Sequence, residues 1–137
     1  SRDWRSQFPV APYMPNAYHA ITRPQGDVAA RVAVRFDELL ASVALCRQWL
    51  AALPDGATRV LIGPPRAELG IGGIEGWRGP VVVALRLNAQ GSVQRCHPHD
   101  PSWHNWPALE HAIMDNIVPD FPLINKSFNL SYSGHDL

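Results

Sequence analysis

The longest regular pattern of apolar positions begins after Asp27. Apolar side chains recur there at alternating intervals of four and three residues: Val32, Phe36, Leu39, Val43, Cys46, Leu50 and Leu53. This spacing predicts one amphipathic helix of about two dozen residues. Asp27 is expected to cap its amino terminus, and residues 54–56 (Pro-Asp-Gly) are expected to end it. We expect the apolar stripe to form the core, with Arg31 and Arg35 on the opposite, solvent-facing side.

A second pattern, alternation of apolar and polar residues, predicts a small β-sheet in the middle of the chain. Residues 81–87 alternate as a strand that is buried mainly on one side. A turn at residues 88–91 follows, and residues 92–96 return as the second strand of a hairpin. Residues 59–62 are a further candidate strand. The glycine-rich segment between these strands shows no regular pattern.

A shorter helix is predicted by the spacing of Trp106, Leu109, Ile113 and Ile117. Asn105 is its expected cap, and the proline at position 119 is expected to end it. Four prolines among residues 1–27 predict an extended arm instead of a helix. The predicted fold class is therefore α+β, with one long and one shorter helix packed with a small β-sheet and hairpin, and with Pro-rich extended arms. We expect residues 1–137 to form a single domain.

Charge and hydropathy exclude several classes of protein. Lys and Arg together number 12, as do Asp and Glu, so the chain lacks the basic surface of a nucleic-acid-binding protein. A hydrophobic content of 46% excludes a disordered chain. The longest apolar run, residues 80–85, is far shorter than the roughly 18–20 residues that span a bilayer. Residues 1–5 are polar, so no signal peptide is expected, and the absence of an initiating Met suggests processing or a cut from a longer chain.

The residues that could bind a metal are grouped in the segment Cys96-His97-Pro98-His99, with Asp100, His104 and His111 nearby. Thiolate and imidazole groups are suitable zinc ligands, but the spacing matches no common zinc motif. The alternative is a polar loop whose histidines bond to the backbone or reach solvent. A phosphate loop at residues 70–73 is not expected, because neither a Gly-Lys-Ser/Thr sequence nor a helix follows. A hydrolase is not expected either, since Ser131, Ser133 and His135 lie too close together in the sequence for a catalytic triad.

Glu75 and Arg78 flank a tryptophan just before the strand at residues 81–87. A carboxylate and a guanidinium at this place could form a structural ion pair, or they could face a cavity. The residues alone leave both interpretations open.

The chain resembles a known family over essentially its whole length. The residues that carry the resemblance keep their order and spacing: Asp3-Trp4-Arg5, Gly26-Asp27, Glu75-x-x-Arg78-Gly79, Asn105-Trp106-Pro107-Ala108-Leu109, and Asn116-Ile117-Val118-x-Asp120-x-Pro122-Leu123-Ile124. They are similar to the C-terminal part of the large subunit of nickel-iron hydrogenases, in the membrane-bound, formate-hydrogenlyase-type branch. The same superfamily includes the quinone-site large subunit of respiratory complex I.

The resemblance implies a former metal site whose ligands are lost. The two tail cysteines that bind nickel and iron in the hydrogenases correspond to Ser131 and Gly134, which are not ligands for a soft metal. Arg78 matches the hydrogenase arginine over the metal centre, and Asp136 falls on a family aspartate near the chain end. Together with Glu75, these residues outline the candidate pocket. We expect no metal or other cofactor and no catalytic residue.

The resemblance further implies a role inside a redox complex. The most direct interpretation is a metal-free subunit portion of a hydrogenase-like or NADH:quinone-oxidoreductase-like electron-transfer complex, inactive when isolated. The implied partners are an iron-sulfur small subunit, other subunits of a membrane-associated complex, and a quinone in the full assembly. Such a chain would be cytoplasmic, or peripheral on the cytoplasmic face of the inner membrane. Two alternatives stay open: a non-catalytic assembly or scaffold protein that retains the fold, and a zinc protein that uses Cys96, His97 and His99.

Overall fold

The computed structural model describes residues 3–8, 18–61, 63–64 and 66–135. The chain divides into two compact units. The first comprises residues 1–55 and 107–129, and the second comprises residues 56–106 and 130–137. Four helices and a three-stranded antiparallel sheet among the described residues confirm the predicted α+β class.

The first unit contains three helices: α1 (Trp4–Gln7), α2 (Val28–Ala51) and α4 (Phe121–Phe128). Part of the predicted extended arm is therefore wrong, because residues 4–7 form a helical turn. The buried Asp3 carboxylate accepts a hydrogen bond from the Arg5 backbone N–H and so caps that turn. Residues 18–27 carry no regular structure, as predicted, and the prolines at positions 9, 12 and 15 lie outside the described residues.

Helix α2 begins where predicted and has the predicted cap, but it ends at Ala51, a few residues before the Pro-Asp-Gly segment at residues 54–56. The Asp27 carboxylate accepts a hydrogen bond from the Ala30 N–H at 2.7 Å, which satisfies one of the four N–H groups that a helix amino terminus leaves without an internal partner. No helix among the described residues combines the length and the apolar character needed to cross a bilayer.

The prediction that the apolar stripe of α2 forms the core is wrong. All seven of its side chains are exposed, and Phe36 is 64% exposed. The apolar side chains of α2 that are buried or half-buried lie elsewhere on the helix, and they include Ala30, Val34, Ala41, Leu45 and Trp49. A three-and-four spacing marks a face suited to packing against another helix, but it does not say whether that helix lies within the same unit.

Arginines join α2 to α4. Arg31 donates to the Ser127 hydroxyl at 2.9 Å and lies over the Phe128 ring, 4.3 Å from its centre. Arg35 donates to the Ser127 carbonyl. These contacts fall on the side of α2 that was expected to face solvent. The two helices are thus joined by hydrogen bonds and by the contact between Arg31 and the Phe128 ring. Helix α4 ends at Asn129, which adopts the left-handed conformation with φ of 53°.

The second unit contains the sheet, in which β1 (Leu69–Gly76), β2 (Gly79–Leu87) and β3 (Val93–His99) follow one another in sequence order. The predicted hairpin is confirmed as β2 and β3. The predicted strand at residues 59–62 is wrong for residues 59–61, which carry no strand, and residue 62 lies outside the described residues. The glycine-rich segment forms β1 instead, and it turns into β2 through Trp77 and Arg78, with Gly79 at a φ of 132°.

Helix α3 spans Ser102–Ala112, and so it begins and ends earlier than predicted. Pro107 lies inside the helix, although proline is most common at a helix start. That preference explains the misplaced prediction, because it favoured a start at Trp106 with Asn105 as the cap. Helix α4 was missed altogether, since eight residues give too short a pattern to recognise.

Candidate functional site

The candidate site is built at the junction between β3 and α3. Asp100 directly follows the last residue of β3, and its carboxylate accepts a hydrogen bond from the Ser102 N–H at 2.7 Å, at the start of α3. Burial raises the pKa of Asp100, but the hydrogen bonds from Ser102 and the charges of Arg78 and His99 outweigh burial and leave that pKa below its ordinary value. The junction therefore presents a stabilised carboxylate.

Residues 130–135, which we call the tail, are bound to this junction through Ser102, which is fully buried. The Ser131 N–H donates to the Ser102 hydroxyl at 3.0 Å. The Ser131 hydroxyl in turn accepts from the Gly134 N–H at 3.0 Å, which closes a tight turn. The structure thus brings together Ser131 and Gly134, the two positions that the sequence resemblance matches to the tail cysteines of the hydrogenases.

Gly134 lies directly against Asp100. A Cβ atom built on Gly134 would lie 2.6 Å from both Cγ and Oδ2 of Asp100, and 2.9 Å from its Cβ. Real Cβ atoms essentially never approach other atoms that closely. No side chain, a cysteine included, fits at position 134 while Asp100 stays in place. The residues present therefore do not fit a nickel-iron centre like that of the hydrogenases: one of the two matched positions carries a hydroxyl, and the other has no room for a side chain while Asp100 stays in place.

Arg78 reaches the same neighbourhood from the turn between β1 and β2. Its carbonyl accepts a hydrogen bond from the Asn105 side-chain amide at 2.9 Å, so Asn105 fastens the turn to α3 instead of capping a helix. The Arg78 charge contributes to the lowered pKa of Asp100. The adjacent Gly79 is also unsuited to a side chain, because its φ of 132° is one that other residues rarely adopt and a Cβ atom there would lie in a tight contact, 3.1 Å from the Pro101 Cβ.

The other two predicted site residues are less informative. Glu75 is half-buried in β1, where it pairs with Pro80 one position before the turn. Asp136 lies outside the described residues. The structure therefore brings three of the five predicted residues, Arg78, Ser131 and Gly134, close to Asp100, which the sequence had indicated only as a neighbour of the possible metal ligands.

A cluster of rings covers the tail turn, and the sequence reasoning missed it. The Trp103 and His135 rings are 5.0 Å apart, and the Trp106 and Tyr132 rings are 5.3 Å apart. Trp103 and Trp106 are three residues apart on α3, so they lie on one side of the helix. The three-residue spacing of these two tryptophans was the one feature of the sequence that indicated such a cluster. The rings hold residues 132–135 against α3 and so support the position of Gly134.

The segment proposed as a zinc site is dispersed. Cys96 and His97 are consecutive residues of β3, so their side chains point to opposite faces of the sheet. The Nε2 atoms of His99 and His104 lie 3.0 Å apart. Among the residues that the structure describes, no three His, Cys, Asp or Glu side chains are grouped so that they could hold a metal ion.

Comparison with known proteins places the chain in a family. Residues 1–69 match the family described as the respiratory-chain NADH dehydrogenase 49 kDa subunit. The chain is 33% identical to the carbon monoxide-induced hydrogenase of Rhodospirillum rubrum over 93% of its length. It is 30% identical to formate hydrogenlyase subunit 5 of Escherichia coli strain K12 over 99% of its length, and 28% identical to an NADH-quinone oxidoreductase subunit of Syntrophobacter fumaroxidans over 93%.

These matches span only part of each relative, namely 36%, 24% and 35% of its length in the same order. They include hydrogenase and NADH dehydrogenase proteins, as the sequence resemblance indicated. The chain belongs to the superfamily that unites the 49 kDa subunit of respiratory-chain NADH dehydrogenase with the large subunits of nickel-iron hydrogenases.

Proposed function

We propose that this chain is a metal-free portion of the large subunit in a hydrogenase-like or NADH:quinone-oxidoreductase-like electron-transfer complex. The family membership supports a role as part of a redox complex, since the relatives are named as hydrogenase and NADH-quinone oxidoreductase proteins. The contact between Gly134 and Asp100 supports the metal-free part of the proposal, because a carboxylate takes up the room that a second tail thiolate would need.

In this proposal the candidate site has a structural task. Asp100 and Ser102 hold the tail turn at Ser131 and Gly134, and Arg78 lies at the same end of the sheet. Such a network stabilises one arrangement of the tail without a metal to organise it. The proposed chain performs no redox step alone. Its partners would be an iron-sulfur small subunit and other subunits of a membrane-associated complex, with a quinone in the full assembly.

The proposal is tested by isolating the assembly from its native cells. The chain carries a small epitope at one end, the membranes are solubilised with a mild detergent, and subunits that co-purify are identified by mass spectrometry. We expect an iron-sulfur subunit in stoichiometric amount, with its cluster seen by electron paramagnetic resonance. We also expect dye or quinone reduction that is lost when the gene for this chain is deleted.

An assembly or scaffold role predicts a different result. A scaffold protein would associate with precursors of the complex and would be missing from the mature, active form. Finding the chain only in inactive precursors would contradict the proposed role as a resident subunit, and finding it with no redox subunit at all would contradict both.

A further inference from the structure

One face of the sheet carries two arginines that the candidate site does not use. Arg86 of β2 and Arg95 of β3 are directly opposite each other in the antiparallel register, so their side chains lie on the same face. Both residues are exposed. Neither of them forms an ion pair with an acidic side chain among the residues that the structure describes.

Two like charges in this position destabilise the sheet, and nothing in β1 offsets them. Like charges directly opposite each other on neighbouring strands are unfavourable, whereas opposite charges are favourable. Glu68 precedes β1 and lines a groove with Leu85 and Leu87. Those two leucines neighbour Arg86 in β2 on either side, so they point to the opposite face, and Glu68 does not lie beside the arginines. The arginine pair is therefore better explained by binding than by stability.

Apolar side chains share the face with the arginines. Leu69 is directly opposite Arg86, and Ile71 lies two residues farther along β1 on the same face. Leu69 is 60% exposed and Ile71 is 71% exposed. We name these two residues and the two arginines the basic sheet face. Glu75 is on the same face but lies six residues beyond Leu69, which is about 20 Å at the rise of a strand.

The combination of charge and apolar surface indicates the occupant. A free oxyanion would pair with the guanidinium groups but would leave Leu69 and Ile71 in water. An anionic membrane surface is usually recognised by about four to eight clustered basic residues, and this face has two arginines. Carboxylates pair with arginine through two parallel hydrogen bonds, and a polypeptide can place apolar side chains beside them. We propose that the basic sheet face binds an acidic, partly apolar segment of a second polypeptide.

The chemistry of the face is tested with three fluorescent peptides and the 137-residue chain. The peptides share one arrangement of leucines and differ only in the residues between them, which are Glu, Gln or Lys. Fluorescence anisotropy should show saturable one-to-one binding of the Glu peptide, weakened by salt, and roughly tenfold weaker binding of the Gln peptide. Affinities that do not fall in the order Glu, Gln, Lys, or no binding of the Glu peptide, would overturn the proposal.

Variants of the two arginines show whether the peptide uses this face. Arg86→Gln and Arg95→Gln should each weaken binding of the Glu peptide roughly tenfold. Each variant also removes the repulsion between like charges, so each should raise the midpoint of urea unfolding. Arg59→Gln removes the same charge from an exposed position outside the sheet and should change neither the affinity nor the midpoint. Undiminished binding by both sheet variants, or a lower midpoint for both, would overturn the proposal.

Vesicles test a lipid surface as the alternative occupant. The chain is mixed with vesicles of phosphatidylserine and phosphatidylcholine, at the salt concentration at which the Glu peptide binds, and the vesicles are sedimented. We expect the chain to stay in the supernatant. Sedimentation with the vesicles that is lost in Arg86→Gln would assign the face to anionic lipid and would overturn the proposal.

The source of the segment is tested in the native assembly. That it belongs to another subunit rests on the proposed role of the chain in a redox complex, whereas the affinity for an acidic peptide does not. Leu69 is replaced by the photoreactive residue benzoylphenylalanine, and the cross-linked peptide is sequenced after irradiation of intact membranes. We expect a segment of a different polypeptide in which Asp or Glu residues neighbour apolar ones.

The control for this cross-link is the same photoreactive residue at Val60, which is 88% exposed and lies outside the sheet. It should not give the product obtained from position 69. Cross-linking of position 69 to other parts of the large subunit, or to a second copy of this chain, would overturn the assignment to a second polypeptide of the complex.

Discussion

Replacing Gly134 by alanine tests the packing at the candidate site with a single methyl group. The added Cβ atom would lie 2.6 Å from Cγ and Oδ2 of Asp100, and 2.9 Å from its Cβ. The backbone conformation of Gly134 is not one that excludes alanine, because its φ does not lie in the positive region. Any cost therefore comes from the contact with Asp100 and not from backbone strain.

The size of that cost follows from two ways of relieving the contact. If Asp100 stays in place, the backbone at position 134 must shift away from it, and such overpacking typically costs about 1–3 kcal/mol. If Asp100 swings away, its 2.7 Å hydrogen bond to the Ser102 N–H is lost at the start of α3. Losing such a bond to a charged acceptor costs about 1.5–3 kcal/mol. Either route lowers the free energy of unfolding by about 2 kcal/mol, which is a large share of the roughly 5–15 kcal/mol of a typical domain.

Urea unfolding followed by tryptophan fluorescence measures this loss. Gly72→Ala is the matched control, because no atom lies within 4 Å of the Cβ position at Gly72. That variant should change the stability by less than about 1 kcal/mol, in the stabilising direction.

A double-mutant cycle identifies the cause. Asp100→Gly removes all three atoms that the new methyl group would meet, so Gly134→Ala should cost almost nothing in that background. The expected coupling energy is about 1–2 kcal/mol, within the range for residues in direct contact. An equal loss in both backgrounds, or no loss in the native sequence, would refute the claim that Asp100 closes position 134.

Three further predictions concern stability. Arg31→Ala should lower the free energy of unfolding by about 1–2 kcal/mol, because it removes the hydrogen bond to the Ser127 hydroxyl. Phe36→Ala should lower it by less than about 1 kcal/mol, because Phe36 is exposed. The reverse order in urea unfolding would indicate that the apolar stripe forms the core after all. Asp27→Ala should lower the free energy of unfolding by about 1 kcal/mol, and Asp27→Asn by only a few tenths, because Asn keeps the side-chain oxygen that accepts the hydrogen bond from the Ala30 N–H. Equal losses for the two variants in thermal unfolding would exclude a capping role for Asp27. The lowered pKa of Asp100 means that this carboxylate binds a proton less readily in the folded state than in the unfolded state. The stability that the ionised carboxylate contributes is therefore present above about pH 4 and is lost as the pH falls through the lowered pKa. Asp100→Asn should flatten this loss of stability at acid pH in urea titrations, and an unchanged loss would contradict the prediction.

The long helix shows which part of the fold the sequence can predict. Its bounds follow from a sustained period and from an aspartate at the start, both of which are local signals. Its orientation is not local information. An apolar row at three-and-four spacing is equally suited to the interior of its own unit and to a partner helix, and the face that packs inward here uses alanine and arginine. The prediction therefore succeeded for the helix and failed for its buried face.

The wrong predictions for strand β1 and for the start of helix α3 have a different cause. Strand β1 contains four glycines, which have low β propensity, and it exists because it pairs along its whole length with the apolar strand β2. That pairing is tertiary information. The start of α3 was misjudged because Pro107 resembles a helix start, although Asp100-Pro101-Ser102 at the end of β3 is an equally good start signal.

The candidate site was predicted through family resemblance and only in part through chemistry. The resemblance predicted that Ser131 and Gly134 are former ligand positions, and the structure brings these two residues together. Asp100 was considered only as a possible metal ligand beside Cys96 and His99, because nothing in the sequence connects it with a glycine 34 positions later. The contact exists because Ser102, two residues from Asp100, binds the tail backbone at Ser131. Such a tertiary contact cannot be predicted from the spacing of residues in the sequence.

The nickel content of the chain within its native assembly tests the central claim most directly. Nickel is more informative than iron, because an iron-sulfur partner would contribute iron of its own. The assembly is purified without a polyhistidine tag, and nickel is measured by mass spectrometry against the amount of this chain. A chain whose second thiolate position is closed by Asp100 should carry no stoichiometric nickel, whereas one nickel atom per chain would contradict the account.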